Sequence, residues 1–148
     1  MTELEQQGKL AKRAGRALAV AGAAKKNAAL EAIAYQSADL MNAKVQDCGF
    51  TPTQLQVDGG ASANAFLMQF QSDIMNVPVV RPQVMETTAL GAALLAGLAT
   101  GVYASVEETA QVWHRDLTFE PQMEEYARRN LLKGWHRAVE RSLNWLEK

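Results

Sequence analysis

Within this chain of 148 residues, Asp58-Gly59-Gly60-Ala61-Ser62-Ala63-Asn64 is the segment whose residue types point most directly to chemistry. An acid and two glycines follow the strand-like run Leu55-Gln56-Val57, and a helical pattern opens at once with Ala65, Phe66, Met68, Gln69 and Phe70. Strand, glycine turn and helix start in that order let backbone N–H groups converge on one point, where an anion such as a phosphate can sit. Glycine suits the place because a β-carbon would block close approach and would penalise a positive φ. Two glycines alone favour the plainer reading, a tight turn with no ligand, so the surrounding sequence must decide.

Other chemistries find little support. Cys48 is the single cysteine, so there is no disulfide framework, and no Cys/His cluster has zinc spacing. His114 and His136 lie far apart in polar surroundings and are expected to be exposed. No metal site is expected, and the cysteine usage fits a reducing, cytoplasmic compartment. A net charge of −1 gives no overall field to recruit nucleic acid or an anionic membrane. No apolar run approaches the roughly 18 residues needed to span a bilayer; the longest, over residues 89–99, is rich in alanine and glycine. No apolar block of a secretory signal stands at the start. Residues 9–26 contain no acid and carry Lys9, Lys12, Arg13, Arg16, Lys25 and Lys26, as a transit peptide would. Glu3 and Glu5 argue against that, and a solvated basic helix face is the expectation.

The elements that must hold the turn follow from periodicity. Chain length allows one domain with a real core. Thr2-Glu3-Leu4-Glu5 has capping-box spacing, and residues 2–26 read as a weak helix or helical hairpin with Gly8, Gly15 and Gly22 in one stripe. A stronger helix runs from residue 28, with Leu30, Ile33, Ser37, Leu40 or Met41, and Val45 at helical spacing, until Gly49 stops it. A strand over 54–58 leads into the turn and into a helix over 63–75. Val77-Pro78-Val79-Val80 is a second strand, with Pro78 at its start or on an edge. Thr87 or Thr88 caps a helix over 89–99, whose Gly91, Ala92, Ala93, Ala96 and Gly97 suit very close packing, plausibly on a sheet. Ser105 opens a short helical turn, and residues 117–121 read as extended or loop. A last helix over 123–146 is expected to turn Tyr126, Leu131, Trp135, Val139, Leu143 and Leu146 inward and Arg128, Arg129, Lys133, Arg137, Glu140 and Arg141 mainly outward. At this spacing its aromatic residues read as core rather than as a stacking surface for nucleic acid.

Helix–strand–helix–strand–helix–helix is an α/β order with parallel strands. Two short strands do not make a stable sheet. The strand at 54–58 calls for a partner on each side where the sequence offers one, so the chain reads as part of a domain.

From residue 28 to residue 145, about four-fifths of the chain, the sequence resembles the C-terminal end of the glycerol kinases, a branch of the FGGY family of carbohydrate kinases. The blocks are Leu30-Glu31-Ala32-Ile33-Ala34-Tyr35-Gln36, Val57-Asp58-Gly59-Gly60-Ala61, Phe66-Leu67-Met68-Gln69-Phe70-Gln71-Ser72-Asp73-Ile74, Thr88-Ala89-Leu90-Gly91-Ala92-Ala93, Leu95-Ala96-Gly97-Leu98-Ala99 and Gly134-Trp135. The resemblance implies a partial ribonuclease-H-like, actin- or hexokinase-type kinase domain with about two short strands of its sheet. It further implies ATP or ADP, with Mg in the parent enzyme, and glycerol as that enzyme's substrate. Gly60 would contact the nucleotide phosphates through its backbone and Asn64 would contact ADP, while Asp58 and Gly59 shape the turn. No catalytic residue is assigned, because the family's catalytic base, most glycerol contacts and the Gly/Thr-rich phosphoryl-transfer segment belong to an N-terminal domain absent from this sequence. The strands that would pair with the outer edge of 54–58 are absent too.

Residues 1–27 stand outside that pattern as an alanine-rich basic extension, similar to the opening helix of gamma-glutamyl phosphate reductases; residues 28–148 form the kinase-like portion. A reductase would need a cofactor-binding domain and a catalytic cysteine, and Cys48 lies instead in a kinase-like helix terminus. Residues 121–130 correspond to a region where some bacterial glycerol kinases bind a phosphotransferase regulatory protein through a shared zinc ion. Ala127 stands where the acid would be, with Glu124 and Glu125 as neighbours, so that site is not expected. The chain is expected to be the nucleotide-binding part of a glycerol kinase, inactive alone, with its missing kinase half or a homo-oligomer as possible partners. The alternative is a non-catalytic association module that pairs through its open sheet edge.

Overall fold

The computed structural model describes residues 3–143, with Thr2, Trp145 and Leu146 of the expected helices outside that range. Packing divides the chain into residues 1–33 and 34–148. The first unit holds α1 (Glu3–Ala19) and the beginning of α2 (Ala23–Cys48). A break at Gly22 makes these two helices, and the Gly22 carbonyl accepts from Lys25 N at 3.1 Å and Lys26 N at 3.3 Å. The second helix therefore opens before residue 28 and ends where Gly49 takes a φ of 65°.

The second unit is built on three strands in the order β1-β2-β3: β1 (Leu55–Gln56), β2 (Val79–Pro82) and β3 (Arg115–Phe119). The two expected strands pair in parallel, Leu55 with Val79 and Gln56 with Val80. The third is a finding. Residues read as extended or loop form an antiparallel partner for β2, with Val79 opposite Phe119 and Val80 opposite Thr118. Pro82 has no N–H to give the ladder, and the register shifts between Arg81 and Pro82 before resuming with Gln83 N donating to His114 O at 2.9 Å. With β2 central and both its valines buried, β1 is left at an edge of the sheet.

Between β1 and β2 runs α3 (Ala65–Met75), which buries Leu67, Met68, Gln71, Ser72, Asp73 and Ile74. Tyr35, Ala38 and Ile74 centre the apolar cluster, with Phe70, Met75, Met123, Leu132 and Trp135 packed around them. The Tyr35 ring meets Phe70 edge-on at 5.5 Å and stacks on Trp135 at 5.4 Å. Polar groups of α3 fasten the chain around it. Ser72 Oγ lies 2.9 Å from Val77 O and 2.7 Å from Phe119 O. Asp73 Oδ1 accepts from Gln122 N at 2.6 Å, Met123 N at 3.2 Å and Gln69 Nε2 at 3.1 Å.

Two helices differ from their expected roles. The last helix, α6 (Glu125–Ser142), turns Trp135 inward as expected but departs from the sequence reading at other positions. Arg128, Leu132 and Trp135 face the core, whereas Tyr126 is 80% exposed and Leu131, Val139 and Leu143 are exposed too. The inward set is i, i+4, i+7 and includes an arginine, whose methylene stem can cover apolar surface; residue type alone leaves Arg128 out of that set and puts Tyr126 in it. On this helix Asp39 of α2 accepts from Trp135 Nε1 at 2.6 Å and lies 2.9 Å from His136 Nε2. The alanine-rich α4 (Thr87–Ala99) buries none of its residues. Its main packing partner is the short α5 (Val106–Ala110). Of its two glycines only Gly97 is closely packed: a β-carbon there would lie 2.8 Å from the Tyr103 ring, whereas one on Gly91 would meet nothing within 4 Å. Among the described residues no helix is long and apolar enough to cross a membrane.

Candidate functional site

Asp58, Gly59, Gly60 and Asn64 form one continuous turn between β1 and α3. Gly59 takes φ 75° and ψ 171°, a region open in practice to glycine only. Its N–H donates to Met85 O at 2.7 Å, and its carbonyl accepts from Ser62 N at 3.0 Å and Ser62 Oγ at 2.7 Å. Residues Gly60–Ala63 then make one turn of 3₁₀-helix, with Ser62 buried and Gly60 and Ala61 exposed.

Gly60 is under no comparable constraint from the chain. A β-carbon on it would enter open space, and neither its N–H nor that of Ala61 has an acceptor among the described residues. Both residues are exposed, and the open space at Gly60 leaves room for close approach of a phosphate. Asn64 is the N-cap of α3 rather than part of its first turn, with φ −81° and ψ 101°. Its Oδ1 accepts from Leu67 N at 3.1 Å, which satisfies one of the helix's orphan donors and directs the Nδ2 donor away from that contact.

The Asp58 carboxylate takes a short hydrogen bond from the Thr87 hydroxyl. That contact corrects the capping role expected for Thr87. Glu86 holds the N-cap position of α4 without a side-chain cap, and the Thr87 hydroxyl ties the start of α4 to the turn instead. Beside Asp58 a cavity of about 300 Å³ opens between Gln56, Val57, Pro82, Thr87 and Trp113.

Sequence reasoning missed a second layer. Arg81 Nε and Nη2 donate to Asp116 Oδ2 at 2.9 and 2.5 Å, and Arg81 Nη1 donates to Ser62 O at 3.3 Å. The guanidinium also lies 5.9 Å from the centre of the Phe119 ring. Nothing in local spacing links positions 62, 81 and 116; the signal would have been the pairing of β3 with β2. Elsewhere Glu125 pairs with Arg129, and no three His, Cys, Asp or Glu side chains among the described residues gather to hold a metal ion.

Residues 21–100 match the family model of the FGGY family of carbohydrate kinases, C-terminal domain. A glycerol kinase of Caldanaerobacter subterraneus subsp. tengcongensis is 58% identical over 120 residues, which cover 81% of this chain and 24% of that protein. Among solved structures, Plasmodium falciparum glycerol kinase with ADP aligns with a TM-score of 0.66 and 34% identity over 79% of this chain and 24% of that one. Xylulose kinase from Rhodospirillum rubrum, at 18% identity and a TM-score of 0.59 over 76% of this chain and 23% of that one, shares the fold. The chain thus spans about a quarter of the length of the relatives it matches. On its sequence and its helix-rich, partial ribonuclease-H-like α/β fold, the chain belongs to the FGGY family of carbohydrate kinases.

Proposed function

We propose that this chain carries the nucleotide-binding turn of a glycerol kinase, the whole protein transferring a phosphoryl group from ATP to glycerol. Gly60 holds the nucleotide phosphates through its backbone N–H and Asn64 contacts the nucleotide. Asp58 and Gly59 shape the turn, and no residue of this chain is assigned a catalytic role. The observation that carries the reading is the pair of exposed, acceptor-free N–H groups at Gly60 and Ala61, where Gly60 has neither a positive φ nor a crowded Cα to require it. ATP, when bound with its Mg ion, supplies the phosphoryl group and the leaving oxygen. The turn orients that group with fixed dipoles and adds no proton acceptor, so the other face of the cleft must supply the base. Phosphoryl transfer by positioning needs both faces, and the isolated chain is expected to give no glycerol phosphorylation above background in a coupled assay.

The kinase-like portion is taken as residues 28–148 and residues 1–27 as a separate helical extension in a cytoplasmic protein. The separation of residues 1–33 as a packing unit and the lone exposed Cys48 support this. Binding of nucleotide by one face alone is expected to be weak, on the order of millimolar or about −4 kcal/mol. Ligand-observed NMR with ADP, AMP and adenosine tests the reading. The turn recognises phosphate, so the affinity order is ADP above AMP above adenosine; equal signals from all three would contradict it.

A second reading, an association module, is favoured by a different observation: α4 has no charged residue and no buried one, and β1 keeps an edge of the sheet. Light scattering after size exclusion distinguishes it. A monomer at all concentrations counts against association.

A further inference from the structure

We propose that Arg81 is a positioning residue for the phosphate turn and that Asp116 sets its aim, an inference that rests on the nucleotide reading of Gly60 and Asn64. Arg81 ends the regular part of β2, and its side chain is only 15% exposed. Two of its N–H groups are spent on a single oxygen of Asp116, which fixes the plane of the guanidinium. The remaining nitrogen, Nη1, is thereby directed at the Ser62 carbonyl. Ser62 is buried and in turn donates both its N–H and its hydroxyl to the Gly59 carbonyl. A line of hydrogen bonds thus runs from β3 through Asp116, Arg81 and Ser62 to Gly59.

The consequence follows from peptide geometry. The C=O of one residue and the N–H of the next share a plane and point in opposite directions across a trans bond. Pulling the Gly59 carbonyl inward onto Ser62 therefore drives the Gly60 N–H outward, toward the place where the phosphate is read. Arg81 acts on nucleotide through this peptide, not by its own charge, which Asp116 neutralises. The β2–β3 irregularity beside Arg81 matters here because it sets where along β3 the carboxylate meets the guanidinium.

Asp116→Asn separates the two ways Arg81 could act, because they differ in sign. Positioning predicts ADP binding about three- to tenfold weaker, since the aim of the guanidinium is lost. Direct attraction predicts tighter binding, since a carboxylate is removed from beside the cation. Amide exchange of nucleotide-free protein gives an independent readout: the Ser62 N–H should exchange about tenfold faster in Asp116→Asn and in Arg81→Lys, while the Ile74 N–H in α3 keeps its wild-type rate. Arg81→Lys retains charge but lacks the fork, so wild-type ADP affinity in that variant would overturn the proposal. So would unchanged Ser62 exchange, tighter binding in Asp116→Asn, or equal acceleration at Ser62 and Ile74, which would mark a general brace. If wild-type protein shows no ADP-dependent shift, the nucleotide reading fails, and Ser62 exchange alone then decides the positioning claim.

Discussion

α3 and α4 are neighbouring helices that invert the rule of hydropathy. α3 contains an acid, two glutamines and a serine, and it buries six of its eleven residues. α4 has no charged residue in thirteen, and it buries none. The difference lies in position. α3 lies against β2, β3 and α6, so Ser72 and Asp73 find carbonyls and N–H groups to satisfy them as they lose water. α4 follows β2 but meets mainly α5, leaving Leu95 69% exposed. Hydropathy states that a face calls for cover, and the sheet decides whether this chain supplies it.

The largest effect that would break the comparison is in the core. Ile74→Ala is expected to cost about 3–4 kcal/mol in urea unfolding and Leu95→Ala less than about 0.5 kcal/mol. Similar losses at both sites would mean that α4 is buried in solution. Next comes Asp73→Ala, expected to cost about 2–3 kcal/mol by stranding the Gln122 and Met123 N–H groups, with increased proteolysis between β3 and α6 as a second signature. A smaller test lies within α4. Gly91→Ala should stabilise by up to about 1 kcal/mol because its β-carbon meets open space, whereas Gly97→Ala should destabilise against the Tyr103 ring. Thermal melts give the two signs; two stabilising changes would show that Tyr103 moves freely.

The smallest expected effect concerns the α2–α6 contact. Partial burial opposes ionisation of Asp39, but hydrogen bonds from Trp135 and His136 and the charge of His136 outweigh it and hold the carboxyl below its ordinary value. A depressed folded-state pKa contributes stability that is present above the unfolded value of about 3.9 and is lost as pH falls through the folded one. Asp39 and His136 are both well exposed, so the contribution is a fraction of about 1 kcal/mol after screening. Asp39→Asn should flatten the stability profile below about pH 4; an unchanged profile would remove Asp39 from the contact.

Much of this was legible in residues close along the chain. The glycine turn, the parallel pair β1–β2 and the stop at Gly49 each follow from local signals such as Asp58-Gly59-Gly60 or a terminal glycine. What sequence did not disclose depends on pairing across distance. β3 becomes a strand because Val79 and Val80 need a partner on their second side. Arg81 and Asp116 meet only once that pairing exists. On α6 Trp135 lies inward as its type suggests, whereas Arg128 lies inward and Tyr126 outward, a choice made by the surface the helix packs on and not by the polarity of either residue. Position along the chain marks Thr87 or Thr88 as the cap of α4, but Glu86 holds that place and the Thr87 hydroxyl bonds Asp58.

The central claim is that the turn after β1 recognises nucleotide phosphate through the backbone at Gly60. The direct measurement is a titration of the ¹⁵N-labelled chain with Mg-ADP, followed at the amides of Gly60, Ala61 and Asn64, for wild type and Gly60→Asp. The account predicts saturable shifts centred on these amides and their loss in Gly60→Asp, with the Ile74 amide unmoved in both proteins. Shifts that survive Gly60→Asp, or that centre away from the turn, would contradict it.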